Sequence, residues 1–599
     1  MKVLCGPILR NVSPNSVNIW IALDEDLELL GELNEIASSS SVEKISVADK
    51  LFIYMVSLSP EEKNFPQNEI IFYDIKVETK SILLDQKLSY TSEKKLPSFI
   101  IAPPAPLLTG SCRKAHSEAC DMLVFADSLL EKNWQNLEER PKALFLSGDQ
   151  LYADNIHDEL IDATTILSSY LFGEKHTEYF PDFEGEKTIP LKTSSPGANR
   201  SFRHWLDLGE WDRQYFIRKL GMTSDFAKNH LVLFSEYVSA YLLIWSERCW
   251  DLIEEKSSFK LTDENLLKFK KELKKVRRLL ANTPVYMSLD DHDITDDWNI
   301  NNYWKDNILP TGNRLISNAL SAFWLFQAWG NNPTAPESVN YLNLVKNYIN
   351  CIRKSDDKIK KAQESLLKSN DHWWQLLKFN DDCEVLILDT RTHRLNGNKK
   401  NNPSGLVTPE FLNKMFSEVT ENIENLIIVC PSPFFGFSKI ENLQALAGQI
   451  SFVPSLALIE RETWQGEIND STFASSQAVK QALKNKSPKR TMFLSGDVHY
   501  GFVKHGKLKE SDLNDVWQVT SSALKNEPTF KSAFSLLAKH TDKTWYKGDF
   551  HSDRPNLCLS SDGKAIFDGA NIAKVDFRNP VNPVCLYFQN ESKIEKHSF

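Results

Sequence analysis

At 599 residues the chain exceeds what one compact core can organise, so two or three domains are expected. Hydrophobic residues at 41% and charged residues at 25% are ordinary for a water-soluble globular enzyme. The net charge of -10 argues against a general nucleic-acid binder, though it leaves room for a local basic groove.

The N-terminus, MKVLCGPILRNV, lacks the longer apolar segment and small-residue cleavage site of a signal peptide. Residues 1–104 read as an all-β domain. Val17, Ile19, Ile21 and Leu23 alternate with Asn18, Trp20 and Ala22; Ile71, Tyr73, Ile75 and Val77 alternate with Phe72, Asp74 and Lys76. This period of two suits a small β-sandwich. The segment APPAPLL (102–108) then reads as a proline-stiffened linker.

From residue 105 to 599 strand runs alternate with helical patterns, which indicates an α/β domain. HSEACDMLVFADSLLEK has helical spacing, and CEVLILDTR (383–391) and NLIIVCPSP (425–433) read as further strands. Helical insertions are expected over about 200–280 and 313–380. In the first, Leu266, Phe269, Leu273, Val276 and Leu280 share a helical face, and the lysines and arginines of KFKKELKKVRR read as its solvated side. Trp373 and Trp374 read as packing residues, in keeping with a chain of 15 Trp and 34 Phe. The stretch LVLFSEYVSAYLLIW (231–245) is too short and too polar to span a bilayer. Nine cysteines without tight spacing read as reduced thiols, and a cytoplasmic location is the default, with export by a signal-independent route left open.

Four strand-like runs each end in potential metal ligands. LLTGSC ends at Cys112; KALFLSGDQLYAD carries Asp149, Tyr152 and Asp154; PVYMSLDDHD carries Asp290, Asp291 and His292; TMFLSGDVHY carries Asp497 and His499. Buried parallel strands deliver side chains in this way to the carboxyl edge of an α/β sheet. A two-metal hydrolytic site needs a bridging carboxylate, and Asp149, directly after Gly148, suits that place. Tyr152 can turn back as a phenolate, and with the Cys112 thiolate it points to Fe(III). Asp497 and His499 reach one cleft, and Asp291 supplies a carboxylate to a second metal. Taken singly, Cys112 reads as a buried small hydrophobe, Tyr152 as a packed aromatic, and Asp149 and Asp497 as helix N-caps. The repetition of LSGD at the ends of two strands favours the metal site.

GDQLYAD around Asp149, DDH around Asp291 and GDVH around Asp497 together resemble the calcineurin-like metallophosphoesterases. Ser111-Cys112-Arg113, LDTR ending at Arg391, Arg394, the segment WQVTSSALKNE (517–527) and the opening GPILRNVSPNSVNIW make the chain most similar to the alkaline phosphatase D (PhoD-like) branch. GDQLYAD is also similar to a motif of purple acid phosphatases, where Tyr ligates Fe(III). The resemblance implies a sandwich of two mixed sheets flanked by helices, preceded by the small β-sandwich. It implies a phosphomonoesterase or phosphodiesterase with a dinuclear centre of Fe(III) and Ca(II), with Mn, Zn or Mg as other second ions. Cys112 and Tyr152 would bind the ferric ion, Asp149 would bridge, Asp291 would bind the second metal, and Asp497 and His499 would complete the set. His292 would meet the leaving oxygen or phosphoryl group, while Arg113, Arg391 and Arg394 would hold phosphate oxygens. One departure stands out: the fifth core strand ends in IIVCPSPFF (427–435), where many relatives place a His. A phosphate ester is the expected substrate. A non-catalytic protein that keeps the fold to bind partners is the alternative.

Overall fold

The computed structural model describes the chain except residues 186, 192–212, 225, 300–307, 355–356, 370, 396–404, 437–463, 465–469, 509–512, 527–555, 559–565, 568, 580–583, 590–592 and 599. Part of the first expected insertion, 200–212, and the last residue of WQVTSSALKNE therefore lie outside the described residues.

The protein is a mixed α/β structure. Its first hundred residues form strands in two sheets. Val3–Ser13, Ser16–Leu23, Leu51–Pro60 and Ser38–Ala48 make one antiparallel sheet; Leu29–Leu33, Ile70–Val77, Lys80–Ser81 and Ser98–Ile100 make the other. The alternation in SVNIWIAL has a direct consequence. Val17, Ile19, Ile21 and Leu23 face Leu33, Ile71, Tyr73 and Ile75 of the second sheet. Trp20 and Ala22, on the opposite face, are buried too, because they pack against helices that follow later in the chain. Neither face of this sheet is left to solvent there.

Two seven-stranded sheets follow. In the first, Val285–Met287, Leu144–Leu146 and Leu107–Arg113 run parallel, with Ser522–Lys525 parallel to Leu107–Arg113 and three antiparallel C-terminal strands beyond. In the second, Cys383–Ile387, Asn425–Val429, Arg490–Ser495 and Leu513–Thr520 run parallel, edged by antiparallel strands. Strand periodicity decides the layers. Leu107, Phe145 and Tyr286 meet Val385, Ile427, Leu494 and Val519 in a cluster shared by both sheets. Leu108, Leu144, Leu146 and Met287 face the other way, onto helices. The second sheet turns Leu386, Ile428 and Phe493 onto Phe411, Met415 and Leu483 of its own flanking helices. Each such fully buried side chain contributes about 1.5–3 kcal/mol.

The segment read as a linker is packed: Ala105 and Leu107 are buried, and strand Leu107–Arg113 starts within it. The helical stretches hold Phe234–Trp245, Glu247–Lys256, Glu264–Asn282, Pro310–Phe323, Pro336–Cys351 and Asp357–Lys368. Helix Glu264–Asn282 buries the expected apolar face. Its basic side is less solvated than its sequence suggests: Arg277 is buried against Glu247, and Arg278 pairs with Asp127 and Glu131. Trp373 packs against Phe323 and Trp324, as its reading as a core residue requires. Among the described residues, no helix is long and apolar enough to cross a membrane.

Candidate metal centre

The polar ends of the parallel strands converge. Cys112 is the next-to-last residue of its strand, Asp149 and Tyr152 follow Leu144–Leu146, Asp290–His292 follow Val285–Met287, and Asp497 and His499 follow Arg490–Ser495. Cys112, Asp497 and His499 all adopt left-handed backbone, with φ of 58°, 65° and 56°. Such conformations are rare outside glycine and collect at functional sites. At Asp497 and His499 they turn the chain beyond the strand end, whereas Cys112 is still within its strand.

The two LSGD turns need their glycines because they crowd Ser111. A Cβ on Gly148 would lie 3.0 Å from Asp290 Oδ2 and 3.2 Å from Ser111 Cβ, and one on Gly496 would collide with the Ser111 side chain. Ser111 Oγ accepts from the Asp497 amide at 3.1 Å, which ties strand end to strand end. The Arg113 amide donates to Asp149 O at 2.9 Å, and the Ala153 amide donates to His292 O at 2.8 Å, joining the three turns of the first sheet.

At the centre, ligand atoms of Asp149, Asp290 and Asp291 all lie within 4.8 Å of one another. All three residues are buried. Neither carboxylate oxygen of Asp149 receives a hydrogen bond. Burial, and then repulsion from Asp290, push the Asp149 carboxyl well above its usual range. Arg391 partly balances the group. Its Nε donates to Asp290 Oδ1 at 2.7 Å, and its Nη2 lies 3.0 Å from Asp291 Oδ1. Burial opposes ionisation of Asp291, but Arg391 and His292 outweigh it and hold that carboxyl below its ordinary value. A second set, Asp291, Asp296 and Asp297, has equally close ligand atoms on the outer side.

Beside the triad, Cys112 packs against Tyr152 and Ala523. Burial, then the charges of Asp149 and Asp497, push the Cys112 thiol well up; burial and the neighbouring Cys112 and Asp149 raise the Tyr152 phenol likewise. Tyr152 Oη lies 3.4 Å from His499 Nε2, and Asn526 Nδ2 donates to Tyr152 Oη at 3.2 Å. Burial lowers the His499 imidazole to about 3, which leaves it neutral and able to offer a lone pair. Asp497 Oδ2 accepts from Ser432 Oγ at 3.0 Å. Ser432 stands near the end of the fifth core strand, where the sequence lacks the expected His.

His292 sits at the mouth, with its side chain 18% exposed. Its Nδ1 is 2.8 Å from Asp154 Oδ1, and its ring lies 4.5 Å from that of Tyr152. Burial would lower the imidazole, but Asp154, with Asp149 and Asp296, raises it well above its ordinary value.

The expected arginines sit differently. Arg113 is not brought to the cluster. Its Nε donates to Asp121 Oδ2 at 2.9 Å, its Nη1 donates to Ile244 O at 3.0 Å, and its guanidinium packs over the rings of Trp245 and Phe269. The guanidinium is held in a buried pair with Asp121 rather than beside the carboxylates. Arg391 reaches the cluster, but it binds Asp290 and Asp291 and is fully buried. Arg394 is buried, and its charge is felt by Asp291. Asp149 and Asp497 do not cap helices. The next helix after Asp149, Asp158–Phe172, is capped by His157. Asp154 and Asp290, named among the strand-end carboxylates without a role, both contact the site, and Asn526 joins it. Asn526 carries no motif chemistry of its own.

The donor set fits a cation. Three crowded buried carboxylates, one without any hydrogen-bond donor, are costly unless positive charge lies among them. No protein-family model matches the chain. No curated protein matches its sequence. Among solved structures, the chain is similar to one titled "Structure of PhoD", with 10% identity, 99% of this chain and 92% of that chain covered, and a TM-score of 0.47.

Proposed function

We propose that this protein is a metal-dependent phosphoric ester hydrolase, a phosphomonoesterase or phosphodiesterase of the PhoD-like kind, with the centre described above as its active site. The observation that carries this reading is Asp149: a buried carboxylate, both oxygens without hydrogen-bond donors, set between Asp290 and Asp291 at the ends of parallel strands. The motif set read from the sequence adds the residue roles. Under the same reading the two seven-stranded sheets form the phosphoesterase sandwich, and residues 1–104 form a separate β-sandwich domain.

Cys112, Tyr152 and Asp149 would hold the first ion, and Asp149 and Asp291 would be available to a second. Asp497 and His499 complete the set, and Asp290 adds a carboxylate that Arg391 keeps in place. A thiol and a phenol that burial keeps protonated become ligands only beside a strong Lewis acid, which favours Fe(III) at the first position. Carboxylates favour a hard second ion such as Ca(II), with Mn, Zn or Mg as further choices. The ions supply positive charge that lowers the pKa of a nearby water and offsets charge on the phosphoryl group.

The chain's own residues do the rest. Asp154 orients His292 through Nδ1 and holds its proton, which leaves Nε2 as the donor at the mouth of the site. From there Nε2 protonates the departing alkoxide as its bond to phosphorus breaks. Arg391 pairs with Asp290 and, with His292, holds the Asp291 carboxyl below its ordinary value. Purified protein should hydrolyse a nitrophenyl phosphate monoester or diester, lose turnover on chelation and regain it with metal. Undiminished turnover of the stripped protein would refute the mechanism. Absence of both metal and turnover would favour a partner-binding protein.

A further inference from the structure

Asp293 follows the cluster's second turn and is fully buried, yet it does not belong to the acidic triad. Its Oδ1 accepts three hydrogen bonds, from the Leu151 amide at 3.2 Å, Tyr241 Oη at 2.8 Å and Gln327 Nε2 at 3.1 Å. Oδ2 receives none. Leu151 lies between Asp149 and Tyr152, so one oxygen fixes the segment that carries both. The two side-chain donors come from elsewhere in the chain. Tyr241 belongs to helix Phe234–Trp245, and Gln327 to a π-helical turn, Trp324–Ala328.

That π turn is itself gripped. Trp20 Nε1 donates to Leu325 O at 2.8 Å, and Arg10 Nη2 donates to Gln327 O. Both donors stand on the N-terminal strands. Gly330, just beyond, must lack a side chain because a Cβ there would collide with Arg10. Turns of this type widen a helix by one residue and recur at functional sites. Here the widening presents Gln327 to Asp293. A buried carboxylate with no cation paired to it is costly if its task is only to fill space. An apolar side chain would fill the same volume, but it could not orient the Leu151 amide.

We propose that Asp293 is a positioning residue of the metal centre. Through Tyr241 and Gln327 it makes the helical region and the N-terminal strands a brace that sets the Asp149–Tyr152 segment. This rests on the metal-centre reading above. Residues that orient metal ligands from behind typically change metal affinity or activity 10–100-fold when removed.

The test is a metal titration against a competing chelator on the full chain, with kcat, KM and thermal unfolding measured alongside. Tyr241→Phe and Gln327→Met keep volume and remove one donor each. Each is expected to weaken metal retention about 10-fold and to lower kcat with KM little changed. The two losses should fail to add when combined, because both act through one oxygen. Asp293→Leu is expected to lose more, and Asp293→Asn, which keeps an accepting oxygen, to recover at least part of that loss. If Asp293→Leu does not fold, the two donor variants decide. Folded donor variants with wild-type metal affinity and kcat, changed only in melting temperature, would overturn the inference. Wild-type protein that binds no metal would overturn the proposed function, and this inference with it.

Discussion

His292 Nδ1 stands 2.8 Å from Asp154 Oδ1, and the pair joins a partly exposed imidazole to a buried carboxylate beside the acidic cluster. Asp154 comes from the first LSGD turn and His292 from the DDH turn, so the contact joins two strand ends as well as two side chains. Asp154→Asn keeps the shape and removes the charge that raises His292. The expected result is a loss of kcat of about 10²-fold, at the low end for general acid catalysis, with metal content unchanged. Rate loss accompanied by metal loss would assign Asp154 to the metal ligands instead.

Gly496 lets the second LSGD turn pass against Ser111. Gly496→Ala forces either the turn or Ser111 to move, at a cost of about 1–3 kcal/mol in unfolding free energy. The Asp497 carboxylate should shift with it, so bound metal falls along with stability. Chemical denaturation paired with elemental analysis checks both outcomes in one preparation.

The strand ends were legible from the sequence because their signal is local: an apolar run, a small residue, then ligands. Cys112, Asp149, Tyr152, Asp291, Asp497 and His499 were all read that way. Asp290 was named beside Asp291 but given no role, because a doublet of carboxylates does not say which member turns inward, and here Arg391 draws both toward one centre. The place of Arg113 was not legible, because Asp121 caps the helix that follows while Ile244 O is brought to it by a helix far along the chain. Helix Asp158–Phe172 escaped notice for the converse reason. It is buried on nearly every face, so it lacks the polar stripe that marks an amphipathic helix.

The role of Arg113 is open to experiment. Arg113→Met should cost about 3–5 kcal/mol of stability by leaving Asp121 buried without its partner. The KM of the folded variant for a phosphate ester should match the wild-type value. A several-fold rise in KM with stability unchanged would return Arg113 to the substrate.

Glu178 offers a pH test outside the acidic cluster. Its carboxylate accepts from the Phe234 and Ser235 amides at 2.9 Å each and stands near His176 and Arg314. Burial pushes its pKa up, but these partners outweigh burial and leave it below the ordinary carboxyl value. A depressed folded pKa contributes stability that is present above the unfolded value, about 4.3, and lost as pH falls through the lower folded value. Glu178→Gln should therefore cost about 3 kcal/mol at neutral pH and flatten the acid limb of melting temperature against pH. An acid limb as steep as that of the wild type would remove Glu178 from the explanation.

The central claim is that the unpartnered carboxylate of Asp149 is the shared ligand of a dinuclear centre. Elemental analysis of wild-type protein and Asp149→Asn, purified identically and shown to be folded, tests it most directly. About two metal ions per wild-type chain, and one or fewer in the variant, is the expected result. Wild-type protein without bound metal, or a variant that keeps the full complement, would contradict it.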